Sequence, residues 1–113
     1  MSKRYCLALD LKDDESLIAE YEKHHKAVWP SILASIKDSG ITEMEIYRTG
    51  TRLFMIMETD DSFSFEKKSA ADKSNPDVEK WEDLMSAFQQ AIPTASPGEK
   101  WVLMKNIFKL TDQ

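Results

Sequence analysis

The residues of this chain best suited to chemistry gather in one stretch, Tyr21 to Pro30, which reads Tyr-Glu-Lys-His-His-Lys-Ala-Val-Trp-Pro. Tyr21 and His25 are four residues apart. On a helix that spacing puts a phenol and an imidazole on one face, about 6 Å apart, where both reach one small polar ligand. The imidazole, with an ordinary pKa of about 6.5, suits taking a proton, and the phenol, with one of about 10, suits donating a hydrogen bond. Trp29 would continue the line one turn later, yet Pro30 clashes with an uninterrupted helix and suits the first turn of a new one. A helix break is therefore expected between His25 and Trp29. It would leave a concave corner with an apolar wall and two proton-exchanging groups, which is how a small-molecule site is furnished. The same spacing also serves a packed pair or a surface pair, and Trp29 and Trp81, each judged by itself, read as core. His24 points away from Tyr21 and reads as solvated, as do Lys67-Lys68 and the acidic group Glu58, Asp60 and Asp61.

The elements that must position this corner follow from hydrophobic period and punctuation. Lys3 to Leu11 alternates, with Tyr5, Leu7, Leu9 and Leu11 on one side and Cys6 and Ala8 on the other, so it reads as a strand apolar on both faces. Asp13 or Asp14 caps the next helix, whose inward stripe is Leu17, Ile18 and Tyr21. A second helix starts near Pro30, presents Ile32, Leu33 and Ile36, and stops at Gly40. Ile41 to Arg48 and Arg52 to Glu58 form an antiparallel hairpin across Thr49-Gly50-Thr51. The polar stretch Asp60 to Asp77 holds one loose helix around Phe63, Phe65 and Ala70. From Pro76, the residues Val78, Trp81, Leu84, Met85 and Phe88 mark an amphipathic helix. Ala91 to Lys100 reads as a loop and Trp101 to Phe108 as a last strand inside the sheet.

Strand, helices, strand, strand, helix, strand is the order of a ferredoxin-like α+β fold, an antiparallel sheet with helices on one face. One domain spanning 1–113 is expected from the length and from an apolar content of 42% that suffices for one core. The sheet's second face is bare in a monomer, so the two-sided apolar first strand implies a homodimer.

Composition excludes several function classes. Fifteen basic against twenty acidic residues give a net charge of −5, which repels a phosphate backbone, so no nucleic acid is expected. The single Cys6 forms no internal disulfide, and no apolar run is long enough for a signal peptide or a membrane span, so the chain reads as cytoplasmic with no membrane partner. The only His residues, His24 and His25, are adjacent and no Cys or carboxylate spacing completes a metal set. Three scattered Gly residues make no phosphate loop, and no Ser sits in a nucleophile turn. Neither metal nor cofactor is expected, which leaves acid and base work by His25 and Tyr21.

The pattern Tyr21-x-x-x-His25-x-x-x-Trp29-Pro30, followed by the helix ending at Gly40, Glu45-Ile46-Tyr47, Leu53-Phe54 and the helix with Trp81 and Met85, resembles the L-rhamnose mutarotase family from Lys3 to Phe108. The resemblance implies a dimeric α/β-barrel type of ferredoxin-like fold and cofactor-free exchange of the α and β anomers of a 6-deoxy sugar. It places the catalytic His on His25, the active-site Tyr on Tyr21 and the first Trp of a sugar-contacting pair on Trp81. Trp29 and Trp81 are expected to wall the pocket with aromatic surface. In this chain the second Trp of the pair is Glu82, and a sugar-binding Tyr three residues before the matching Tyr47 is Met44. Both departures fall in the sugar-recognition shell, so the resemblance carries the reaction class and leaves L-rhamnose, L-fucose and other aldoses open. A non-catalytic small-ligand module and a cofactor-free oxygenase of the same fold are the competing readings.

Overall fold

A computed structural model describes residues 2–113. The order is β1 (Lys3–Leu11), α1 (Glu15–Lys26), α2 (Pro30–Asp38), β2 (Ile41–Thr49), β3 (Arg52–Thr59), α3 (Phe65–Lys73), α4 (Pro76–Ser86), β4 (Gln89–Gln90) and β5 (Val102–Leu103). The strands run β2-β3-β1-β4, all antiparallel, and β5 pairs with β1 beside β4. This is the ferredoxin-like α+β architecture, with the fourth sheet position divided between two short strands. Among the described residues no helix is long and apolar enough to cross a membrane.

The break in the first helical segment follows from local chemistry. Asp14 starts α1 by accepting hydrogen bonds from the Ser16 and Leu17 amides at 2.9 and 3.1 Å. The hydrogen bonds from Ser16 and Leu17 also hold its carboxyl below the usual range. α1 ends at Lys26, and Trp29, at φ −56° and ψ 135°, takes the extended conformation that a residue before proline needs. Pro30 then opens α2. Of the expected inward residues of α2, Ile32 is buried and Ile36 half-buried, while Leu33 is largely exposed. Gly40 ends this unit at φ +97°, where a Cβ would lie 2.6 Å from Asp60 Oδ1 and 2.7 Å from Ser62 Oγ. Only glycine suits both the dihedral and the space.

Register decides which side chains face the helices. Leu7 pairs with Met55 and Leu9 with Leu53, while Ile46 and Met44 continue the rows beyond Met55 and Met57. This face packs into two clusters, one around Leu11, Tyr21, Ile32, Leu53, Val78, Trp81, Met85 and Phe88, the other around Leu7, Ile41, Met55 and Met57. The opposite face carries Cys6, Ala8, Phe54, Ile56 and Val102. Arg4–Glu58 (3.0 Å) closes one end of it and the Arg52–Asp10 pair the other.

Four expectations change. The last strand is two residues long, not Trp101 to Phe108. Met104 N still donates to Cys6 O at 2.8 Å, but continuing that register would set Ile107 beside Lys3, at the exposed start of β1. With no apolar surface to cover there, Ile107, Phe108 and Leu110 stay exposed. A strand also forms in the two residues between the expected helix and the expected loop, because Gln89 and Gln90 pair with Leu11 and Asp10. His24 is half-buried rather than solvated, its ring 5.6 Å from that of Phe88. Lys68 is half-buried too, in an ion pair with Asp72 at 3.0 Å. The loose helix α3 has no buried residue. Its start is held by Ser64, which accepts from the Lys67 amide, and by Phe65 and Phe63 packing edgewise on each other and against Tyr5.

Candidate active site

A cavity of about 1080 Å³ lies between the helices and the sheet. That is just above the usual range of small-molecule sites, which are lined mainly by apolar groups with a few convergent polar ones. Its polar groups come from both halves of the chain and include Tyr21 and His25 from α1, Glu82 from α4, Gln89 from β4 and Lys100 from the loop before β5. Met44, Met55, Met57 and Trp81 line it with apolar surface.

Tyr21 and His25 meet because α1 is helical through both. Their ring centroids are 4.4 Å apart with planes inclined at 37°. Trp81 crosses His25 edge to face at 5.7 Å, and Trp29 stands behind Trp81 at 5.1 Å. His25 Nδ1 lies 2.8 Å from the main-chain carbonyl of Tyr21. A carbonyl oxygen only accepts, so Nδ1 carries the proton, and the neutral ring keeps its lone pair on Nε2. Burial pushes the imidazole below its ordinary value, with neighbouring His24 acting the same way and the carbonyl bond opposing. The ring is therefore neutral, and basic at Nε2, near pH 7.

Tyr21 is shifted the other way. Burial raises its pKa, the bond from the Gln89 side chain pulls it down, and the charge of Glu82 raises it further. The phenol keeps its proton through neutrality. One helix turn thus presents an unprotonated base beside a protonated acid.

The remaining sequence-derived residues divide. Trp81, Met44 and Glu82 line the cavity; Trp29 and Tyr47 do not. Tyr47 stands on the opposite face of the sheet, with its hydroxyl donating to Glu45 at 2.7 Å. Glu82 sits at the rim with its carboxylate 3.3 Å from Lys100 Nζ, and Lys100 also bonds Ser86 Oγ at 2.5 Å. Sequence reasoning missed Gln89 and Lys100. A lone Gln after a helix and a Lys in a Pro-rich loop carry no motif that would single them out.

The shared architecture comes first. The crystal structure of an L-rhamnose mutarotase from Formosa agariphila matches this one with a TM-score of 0.70 at 22% identity, covering 96% of this chain and 98% of that one, so the architecture is shared. Sequence narrows the class. An L-fucose mutarotase of Xanthomonas campestris pv. campestris is 44% identical over 97% of this chain and 90% of its own length. An L-rhamnose mutarotase of Phocaeicola vulgatus is 34% identical over 69% of this chain and 73% of its own length. Residues 4–110 match the family model for L-rhamnose mutarotase, and the chain belongs to that family. It is a mutarotase, a carbohydrate isomerase.

Proposed function

We propose that the chain interconverts the α and β anomers of a free 6-deoxy-hexose by acid and base catalysis from His25 and Tyr21. The observation that carries this is the tilted ring pair itself, the His25 imidazole with Nδ1 on a main-chain carbonyl 4.4 Å from the Tyr21 phenol in one cavity. In a cyclic sugar the anomeric hydroxyl and the ring oxygen share one carbon, so two adjacent groups reach both. His25 Nε2 takes the proton of the anomeric hydroxyl while the Tyr21 hydroxyl protonates the ring oxygen. The C1–O5 bond breaks, C1 becomes an aldehyde, and the chain rotates about C1–C2. Reclosure reverses both transfers: the C5 hydroxyl returns its proton to the Tyr21 phenolate and the imidazolium protonates the new anomeric oxygen. Trp81 and the methionines offer apolar surface to the sugar's methyl and ring face.

L-fucose is the substrate we favour, because the relative 44% identical over nearly the whole chain carries that name. Glu82 supports a shifted preference, since a carboxylate at the rim accepts a sugar hydroxyl where an aromatic group would only stack. Anomer exchange measured by NMR saturation tests both points. Wild type is expected to accelerate L-fucose exchange more than L-rhamnose exchange, and Glu82→Leu to narrow the gap by about tenfold, the worth of a hydrogen bond to a charged group. An unchanged order and ratio would remove Glu82 from recognition, and binding without acceleration would make the chain a sugar-binding module instead.

The assembly we propose is a homodimer in the cytoplasm, in keeping with the single free Cys6. Its support is the sheet face around Cys6, Phe54, Ile56 and Val102, together with the exposed apolar tail from Leu103 to Leu110. Light scattering at micromolar concentration is expected to give twice the chain mass; the mass of one chain would sink the dimer.

A further inference from the structure

The cavity is larger than one sugar needs. A 6-deoxy-hexose has about 11 non-hydrogen atoms, and at no more than the ~30 Å³ that a liquid water claims for each, it fills at most ~330 Å³. The cavity, at about 1080 Å³, takes about three such units. Its surplus lies along the sheet. Tyr21, Trp81 and Leu53 belong to the cluster at one end, Met57 and Ile41 to the cluster at the other, and residues of both clusters line the cavity. Leu53 and Met57 are four residues apart on β3, which is on the order of 13 Å of strand.

The far wall carries its own recognition surface. Phe65 lines it from the start of α3 with 42% of its surface exposed, held edgewise by Tyr5 at 4.9 Å and Phe63 at 5.0 Å. A fixed, exposed aromatic ring in a cavity wall is a platform for another ring face. Lys68 and Ser69, three and four residues further along α3 and so on the same side of it, also line the cavity, as do Thr42 and Glu43 of β2. Cationic, anionic and hydroxyl groups together suit a neutral ligand whose hydroxyls both donate and accept, rather than a phosphate or an ammonium group.

We propose that this far part of the cavity is a second saccharide subsite, and that the chain acts on reducing oligosaccharides whose reducing-end unit is the 6-deoxy-hexose. The proposal rests on the placement of the anomeric hydroxyl and ring oxygen at His25 and Tyr21 made above. Ring opening needs the C1 hydroxyl unsubstituted, so the rest of the oligosaccharide is joined elsewhere. C-3 and C-4 lie across the ring from the reacting atoms, and a sugar attached through either oxygen extends away from them along the cavity. Its ring face stacks on Phe65, and its hydroxyls meet the polar groups of α3 and β2.

The test compares whichever of L-fucose and L-rhamnose the protein exchanges faster with the reducing di- and trisaccharides of that sugar, joined through O-3 or O-4. Anomer exchange is read by NMR saturation transfer and referred to each sugar's own spontaneous rate. Wild type is expected to accelerate a longer sugar with a KM about tenfold below that of the monosaccharide, the worth of one good aromatic contact. Phe65→Ala is expected to bring that KM back to within about twofold of the monosaccharide value. It leaves KM and kcat for the monosaccharide unchanged, because Phe65 makes no ring contact with Tyr21 or His25 and α3 buries none of its residues. Longer sugars that are not accelerated, or whose KM is at or above that of the monosaccharide, overturn the proposal without any variant, which covers a Phe65→Ala that fails to fold. An undiminished advantage of the longer sugars in a folded Phe65→Ala overturns it as well. If wild type accelerates no exchange of any of these sugars, the mutarotation reading fails separately. Calorimetric affinities for the same series then judge the subsite: affinity that rises with length in wild type supports it, and affinity independent of length, or no binding, overturns it.

Discussion

Replacing His25 by alanine leaves a folded protein that exchanges anomers about 10²- to 10⁴-fold more slowly than wild type, the usual range for one positioned acid or base. Folding survives because His25 is half-buried at the end of α1 and alanine favours a helix. The rate falls because the imidazole beside the Tyr21 phenol is lost. His24 turns to Phe88, Lys100 is held by Glu82 and Ser86, and the Tyr21 phenol carries its proton. NMR saturation transfer reads the exchange and circular dichroism reads the fold. A folded variant that exchanges at the wild-type rate would take the base away from His25.

Tyr21→Phe is expected to cut exchange by about 10²-fold and to change its pH profile. Phenylalanine fills the buried ring position, so the lost hydroxyl is the main difference. The two limbs follow from the directions of the shifts. Protonated His25 is no base, and its pKa is held below its ordinary value by burial, so wild-type activity rises with pH through a midpoint below that of a free imidazole. Ionised Tyr21 is no acid, and burial raises its pKa, so the alkaline decline has its midpoint above that of a free phenol. Tyr21→Phe keeps the acid limb and loses the alkaline one. An alkaline decline that persists unchanged in Tyr21→Phe would assign it to another group.

The sequence made the site's first half readable because it rests on local rules. An i,i+4 spacing, an Asp cap and a Trp-Pro step are each decided within a turn of helix, and α1, α2 and the gap between them form as those rules require. The hairpin, too, is local. What stayed hidden depends on distant surfaces. The split fourth strand is set by what β1 offers along its edge, which no residue near Gln89 or Val102 reveals. Tyr47 is the sharpest case. Simple alternation from the buried Ile41 would turn Tyr47 toward the helices. A register shift between Ile41 and Glu43 adds one residue, so Met44 and Ile46 face the cavity and Tyr47 turns to the other side.

The division of the site between the two halves of the chain also orders its construction in time. The β2–β3 hairpin closes over Gly50 and Thr51 and pays little chain entropy to form. The wall opposite Tyr21 and His25 has no such shortcut: Trp81 and Gln89 lie far along the chain, and β1 meets Leu103 only near its end. During synthesis Tyr21 and His25 leave the ribosome before Trp81 and Gln89 and wait in an open helix corner. They gain their low-dielectric surroundings only when the second half docks on β1, so a nascent or truncated chain carries the proposed pair with ordinary proton affinities.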